Sequence, residues 1–226
     1  MTINRINFPI YELLILFSII VGALYIWVSL NKENLSRKHV LIFFTLFFFF
    51  TIFFGKLYTY IEHPNSNFLT VGVTGYGGLI GGIFVAILSN IFFKDNRFFK
   101  YTIISTPLIY GFAKLACFFH GCCIGIPYNG PFAVTYPFLG NESYFPIQLV
   151  ETIAFLIIFF VCNTLQNHKN ITYITLILIL SVKFLLDFLR YGHINKFLSN
   201  NQIMSIILFV IVVFIYFIKK YKKTSK

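Results

Sequence analysis

Seven stretches of about 20 mostly apolar residues, the length needed to cross the hydrocarbon of a bilayer, leave this 226-residue chain few ways to fold. They run over about 9–30, 39–58, 68–93, 101–119, 146–165, 171–190 and 202–218, each set off by short polar or basic segments. The first run is too long for a signal peptide and is read as a retained span. Only 11 % of residues are charged and 58 % are hydrophobic, whereas a soluble domain carries about a quarter charged residues. The expected fold is an all-α integral membrane protein with about seven transmembrane helices, forming a single polytopic membrane domain over 1–226.

The net charge of +11 is dispersed in small clusters between the apolar runs, so it reads as membrane topology and not as a nucleic-acid surface. Lys32, Arg37 and Lys38 follow the first run, Lys94, Arg97 and Lys100 the third, Lys169 the fifth, and "KKYKKTSK" the seventh. The alternate loops hold few cations, Arg5 and Lys196 among them. By the excess of Lys and Arg on the cytoplasmic side, the N-terminus is expected outside and the C-terminus in the cytoplasm. The longest extracytoplasmic loop then covers about 119–145. No internal repeat of the kind found in many transporters is visible.

Ionisable side chains within apolar runs are expensive and are functional candidates by default. Here they are Glu12, Lys56, Lys114, Glu151, Lys183, Asp187 and Arg190. Asp187 and Arg190 share a helix face and can pair, and Lys56 and Lys183 can snorkel or meet a carboxylate. Lys114 and Arg190 both fall toward the outer ends of their runs, where two cations at one depth call for an anion between them. A lipid phosphate suits, since Arg binds phosphate through a planar fork and Lys as a point charge. Neutralisation by Glu151 and Glu12 is the structural alternative.

Two further stretches stand out. "TGYGGLIGG", Thr74–Gly82, has five glycines in nine residues, which allows close approach of a ligand or of another helix, as in GxxxG packing. "LACFFHGCCIG", Leu115–Gly125, holds three of the four cysteines and His120. Zinc would want a second Cys/His pair, which is missing nearby, and the adjacent Cys122 and Cys123 are poorly placed to share one metal. A redox pair would lack the two-residue spacer of thioredoxin-like motifs. Otherwise these are small residues at a helix end beside a Gly turn.

Taken in order, these segments resemble one family, the bacterial prolipoprotein diacylglyceryl transferases. Its hallmark runs Gly-Arg-x-x-Asn-Phe-x-Asn-Gly-Glu-x-x-Gly, and this chain has "GFAKLACFFHGCCIG". Lys114 stands at the arginine, Cys117 at the asparagine and Cys122 at the glutamate, with Gly121 and Gly125 kept. "PYNGPFAVTYP" and "FPIQLVE" follow, similar to the family segments Pro-Thr-x-x-Pro-Trp-Ala-Val-x-Phe-Pro and His-Pro-Ser-Gln-Leu-Tyr-Glu. "YGGLIG" is similar to a His-Gly-Gly-Leu-Ile-Gly segment, with Tyr76 at the histidine. "DFLR", "NQIMSI" and Tyr11 complete the match.

The resemblance implies transfer of a diacylglyceryl group from phosphatidylglycerol to the lipobox cysteine thiol of a preprolipoprotein, with thioether formation and release of glycerol phosphate. It implies no metal, no organic cofactor, and location in the bacterial inner membrane. Lys114 and Arg190 would hold the phosphate and neutralise the leaving group. His120 suits proton transfer near neutral pH, and Tyr76 suits hydrogen-bond donation. Substrate contacts fall to Tyr11, Gly77, Gly78, Cys117, Gly125, Gln148 and Glu151. Two other readings stay open: a lipid- or peptide-binding homologue that has lost the reaction, and an outer-face thiol oxidoreductase using Cys122 and Cys123.

Overall fold

The computed structural model describes residues 1–3, 10–65, 67–140 and 142–224. Arg5 lies outside them, as does the end of the basic tail. Among the described residues seven long helices follow one another: α1 (Ile10–Lys32), α2 (Arg37–Glu62), α3 (Gly75–Phe93), α4 (Arg97–His120), α5 (Ile147–Thr164), α6 (Ile171–Asp187) and α7 (Asn200–Thr224). Five of them, α1, α2, α4, α5 and α7, are long and apolar enough to cross a membrane, and Gly77–Phe93 of α3 is a shorter apolar helix. A two-stranded antiparallel pair, β1 (Val134–Thr135) with β2 (Ser143–Tyr144), interrupts the segment between α4 and α5.

Several boundaries differ from the sequence expectation. The third apolar run starts near 68, but α3 begins at Gly75, because the Thr74 hydroxyl caps it by accepting from the Gly77 N–H at 3.4 Å. At the other end of that segment, Asn67 Oδ1 accepts from the Leu69 N–H at 2.9 Å, an Asx turn that keeps the chain out of helix. α4 begins at Arg97 and not at 101, and α6 stops at Asp187, after which Tyr191–His193 form a short 3₁₀ turn.

The chain divides into two compact units, Ile20–Thr106 and Met1–Ile19 with Pro107–Lys226. In the first, Ile26, Leu30, Val40, Phe43, Phe47, Val85, Ala86, Phe98 and Tyr101 form a buried cluster. The glycine-rich stretch packs α3 onto α2. A Cβ at Gly77 would sit 2.7 Å from Gly55 Cα and against the Phe54 carbonyl, and one at Gly81 would sit 2.8 Å from the Phe50 carbonyl carbon. Small residues here let two backbones touch, which drives helix association where lipid supplies no hydrophobic force.

In the second unit, Thr152 on α5 donates to the Gly111 carbonyl of α4 at 3.1 Å. A Cβ at Gly111 would stand 3.3 Å from the Thr152 carbonyl oxygen and from Leu156 Cγ. The segment after α4 is anchored by Ile3, Phe118, Val134, Tyr136 and Tyr144, which share a buried cluster. The Tyr136 hydroxyl donates to the Phe118 carbonyl at 2.9 Å. Residues 124–126 are held on both sides: Ile126 N–H donates to Leu189 O, Tyr191 N–H to Ile124 O and Phe145 N–H to Ile126 O, each at 3.0 Å. Gly125 forms a bridge opposite Arg190, and a Cβ there would meet the Phe145 carbonyl. This clamp fixes Arg190 beside the segment that carries the cysteines.

Candidate functional site

Glu151 is the centre of the site. It sits on α5, fully buried. Its carboxylate accepts from Arg190 Nη2 at 2.6 and 2.7 Å and from Lys183 Nζ at 3.0 Å, and pairs with Lys114 Nζ at 3.5 Å. Asp187 completes the cluster: its Oδ1 lies 3.4 Å from Arg190 Nε and 3.7 Å from Lys183 Nζ. Its Oδ2 accepts from the Ser199 hydroxyl. Lys183, Asp187 and Arg190 follow at intervals of four and three, which brings them to one side of α6 and its extension. The expected Asp187–Arg190 pairing and the Lys183–carboxylate pairing are both present.

Among the described residues, three cations therefore share two carboxylates, and the cluster carries one net positive charge. Taking charges out of water costs several kcal/mol per ion, so a buried positive excess is a standing invitation to an anion. Lys114 is the loosest member. Besides its 3.5 Å contact with Glu151, it lies over the Tyr110 ring, 5.0 Å from the centroid, and Lys183 approaches the same ring at 5.5 Å. Arg190 Nε and Asp187 Oδ1 are buried without a hydrogen bond of good geometry, so their pairing is electrostatic.

The end of α4 turns the chain back on itself. Gly121 takes a left-handed φ of 73° after His120, and Cys122 N–H donates to the Cys117 carbonyl at 3.2 Å, the six-to-one bond of a Schellman cap. Cys123 is also left-handed, at φ 55°, an uncommon conformation for a residue with a Cβ. Together the two reversals bring all three thiols into one place: the Sγ atoms of Cys117, Cys122 and Cys123 lie within 4.8 Å of one another. From sequence, adjacent cysteines are expected to diverge; the left-handed Cys123 is why these converge. All four cysteines are free thiols. Hydrogen bonds from Cys117 and Cys122 hold the Cys123 thiol below its ordinary range, assisted by Lys114 and Arg190. The same thiol-to-thiol contacts push Cys122 up.

Of the other expected residues, Gln148 is buried and its Nε2 donates to the Cys122 carbonyl at 2.8 Å, so it positions the thiol loop. His120 and Tyr11 meet ring to ring at 4.8 Å. Gly77 and Gly78 belong to the Ile20–Thr106 unit, where the approach they allow is to α2: a Cβ added at Gly78 would lie 3.3 Å from Thr51 Cγ2. The Tyr76 side chain lies outside the described residues. Glu12 is exposed and Lys56 donates to the Leu69 carbonyl at 2.6 Å, so neither joins the cluster. Ser199 and Gln202 escape the sequence reading. Gln202 is fully buried, accepts from the Ser199 N–H at 2.9 Å and donates to Phe184 O at 3.3 Å, which holds Ser199 on Asp187. A Ser three residues before a Gln at the start of an apolar run is a capping pattern that would have signalled it.

The family model for prolipoprotein diacylglyceryl transferase matches residues 1–218. The chain belongs to that family. Among curated relatives, the phosphatidylglycerol–prolipoprotein diacylglyceryl transferase of Clostridium tetani is 27 % identical over 168 residues, 67 % of this chain and 66 % of that protein. Proteins of the same name from two strains of Campylobacter jejuni are 26 % identical over 187 residues, covering 74 % of this chain and 68 % of theirs. The match thus spans about two thirds of the length of these relatives. Transferase family, apolar helices and bacterial relatives fit a multi-pass protein of a bacterial membrane.

Proposed function

We propose that this protein transfers a diacylglyceryl group from phosphatidylglycerol to the lipobox cysteine thiol of a preprolipoprotein. The observation that carries the reading is the buried cluster of Lys114, Lys183 and Arg190 on Glu151 and Asp187, with its one net positive charge. A phosphodiester headgroup supplies the missing anion. Lys114, which has the longest contact to Glu151, swings to the phosphate as a point charge, and Arg190 offers what Glu151 leaves of its fork. As the bond from glycerol carbon to phosphate oxygen breaks, the second negative charge on the departing glycerol phosphate develops next to these cations. Charges already in place cost no reorganisation at that moment.

The acceptor thiol attacks as thiolate. His120, set by the Tyr11 ring, takes its proton; Tyr11 borders the headgroup; Gln148 and Gly125 hold the loop that faces the cations. The enzyme works in the inner membrane with its N-terminus outside and its C-terminus in the cytoplasm, an orientation supported by the distribution of Lys and Arg.

The test uses purified protein in phosphatidylglycerol liposomes with a fluorescent lipobox peptide, scored as a lipid-dependent gel shift. Lys114→Ala and Arg190→Ala are expected to lose the shift, and Arg190→Lys, which keeps the charge and loses the fork, to retain a small part of it. No shift from the unaltered protein, with a standard family enzyme active beside it, refutes the transferase and leaves a lipid-binding homologue.

A further inference from the structure

We propose that Cys117, Cys122 and Cys123 form a tris-thiolate site for a zinc-like divalent ion, whose open fourth position takes the acceptor cysteine. The convergence carries it. Three thiols with all Sγ atoms within 4.8 Å form one face of a coordination tetrahedron whose edges, for zinc–sulfur bonds of about 2.3 Å, measure about 3.8 Å. Each edge needs to shorten by no more than about 1 Å, which side-chain rotation supplies. Among the described residues no other His, Cys, Asp or Glu joins the group. The described residues offer three ligands, the pattern of catalytic and not structural zinc.

Burial grades from Cys117, buried, through Cys122 to Cys123, exposed. The fourth vertex is therefore reachable from one side. A divalent ion on three thiolates carries one net negative charge, and Cys123 lies within electrostatic reach of Lys114 and Arg190, so the neighbouring cations offset part of the cost of an anionic centre. The ligands themselves are held from behind: Gln148 grips the Cys122 carbonyl at 2.8 Å, and Cys117 O accepts from Cys122 N–H.

The role of the ion rests on the transferase reading. A thiol that binds a zinc-like ion is deprotonated outright, so the acceptor arrives as a bound thiolate without waiting for a strong base. Its sulfur lone pair forms the new bond to the diacylglycerol carbon. The carbon–oxygen bond to phosphate breaks, glycerol phosphate leaves with that electron pair, and the thiol proton, taken by His120, ends on its phosphate oxygen. No electron is gained or lost, and the ion is returned when the thioether, a weaker ligand, departs.

The full-length protein, purified without oxygen in phosphatidylglycerol nanodiscs, is titrated with zinc and with cobalt(II) as the visible reporter. One equivalent should bind with the intense visible bands of tetrahedral cobalt–thiolate. Removing a group that merely orients a ligand costs about 10–100-fold in affinity, so each of Cys117→Ser, Cys122→Ser and Cys123→Ser should cost about 100-fold or more. Cys162→Ser should cost nothing, since Cys162 lies near the far end of α5. A lipobox peptide should then strengthen the sulfur-to-cobalt absorption, and its Cys→Ser version should not.

Substoichiometric binding, or binding that survives all three substitutions, overturns the site. Stoichiometric binding with no response to the cysteine peptide overturns the acceptor role. Lipid transfer by metal-free protein, untouched by chelator, overturns the inference and leaves the transferase standing. Cobalt that takes up the peptide thiol while no lipid is transferred upholds the site and removes the transferase.

Discussion

Replacing Glu151 by Gln keeps the shape of the side chain and one acceptor oxygen but deletes the charge on which three cations converge at 2.6, 3.0 and 3.5 Å. The carboxylate has no exposed surface, so water cannot take over. Breaking a buried ion pair by removing one partner costs about 3–5 kcal/mol, and here the loss is shared by Lys183, Arg190 and Lys114. We expect Glu151→Gln to destabilise the protein by about 3–5 kcal/mol, on the order of a hundred- to several-thousand-fold in the unfolding equilibrium. Unfolding in mixed micelles, followed by tryptophan fluorescence from Trp27 and by circular dichroism, reads the effect. Lys183→Met in the same chain removes one of the stranded cations and should return part of the loss. The double-mutant cycle should give a coupling of about 1–3 kcal/mol. A cost for Glu151→Gln below about 1 kcal/mol, or a cycle with no coupling, would show that the cations do not depend on this carboxylate.

Three other outcomes follow from particular contacts. Gly125→Ala puts a methyl group on the Phe145 carbonyl and should loosen the clamp on Arg190, losing about 1–3 kcal/mol by thermal unfolding together with most of the transfer rate. Gly77→Val forces α3 off Gly55 and Phe54 and should cost stability of similar size, read by the same melt. In the Ile20–Thr106 unit, the Tyr101 hydroxyl, with Lys100 and Arg97, holds Glu33 below its ordinary value of 4.5, and Arg97 holds Asp95 below 3.8. Folded values below unfolded ones mean that this stability is complete above about pH 4.5 and drains away as the pH falls through the lowered values. Arg97→Gln should flatten the acid limb of the stability–pH curve, and an unchanged limb would remove these carboxylates from the explanation.

Seven helices were legible because hydrocarbon demands about 20 apolar residues in a row, although among the described residues five of the seven, without α3 and α6, are long and apolar enough to span. The start of α3 was not, because apolarity says nothing about turns: Asn67 and Thr74 act through side-chain oxygens on the backbone. Phe68–Val73 is as apolar as a helix and yet is not one. Lys114, Glu151 and Arg190 were readable as expensive ions, whereas Lys183 and Asp187 were open to simple pairing; their membership in one cluster depends on α5 and α6 meeting at Glu151. The thiol cluster was the least readable feature. Gly121 announces a helix cap, but nothing in the residue type of Cys123 announces its left-handed backbone, and that single dihedral turns its thiol toward the other two.

The central claim is that the buried cations serve transfer of lipid to a protein thiol, and product analysis tests it most directly. Protein in phosphatidylglycerol liposomes is given a lipobox peptide, and the peptide mass and released glycerol phosphate are measured together. The account predicts a diacylglyceryl thioether on the cysteine and one glycerol phosphate per modified peptide, both lost in Lys114→Ala. Glycerol phosphate released without a modified peptide would make the protein a phospholipid hydrolase, and neither product from folded protein would contradict the transferase outright.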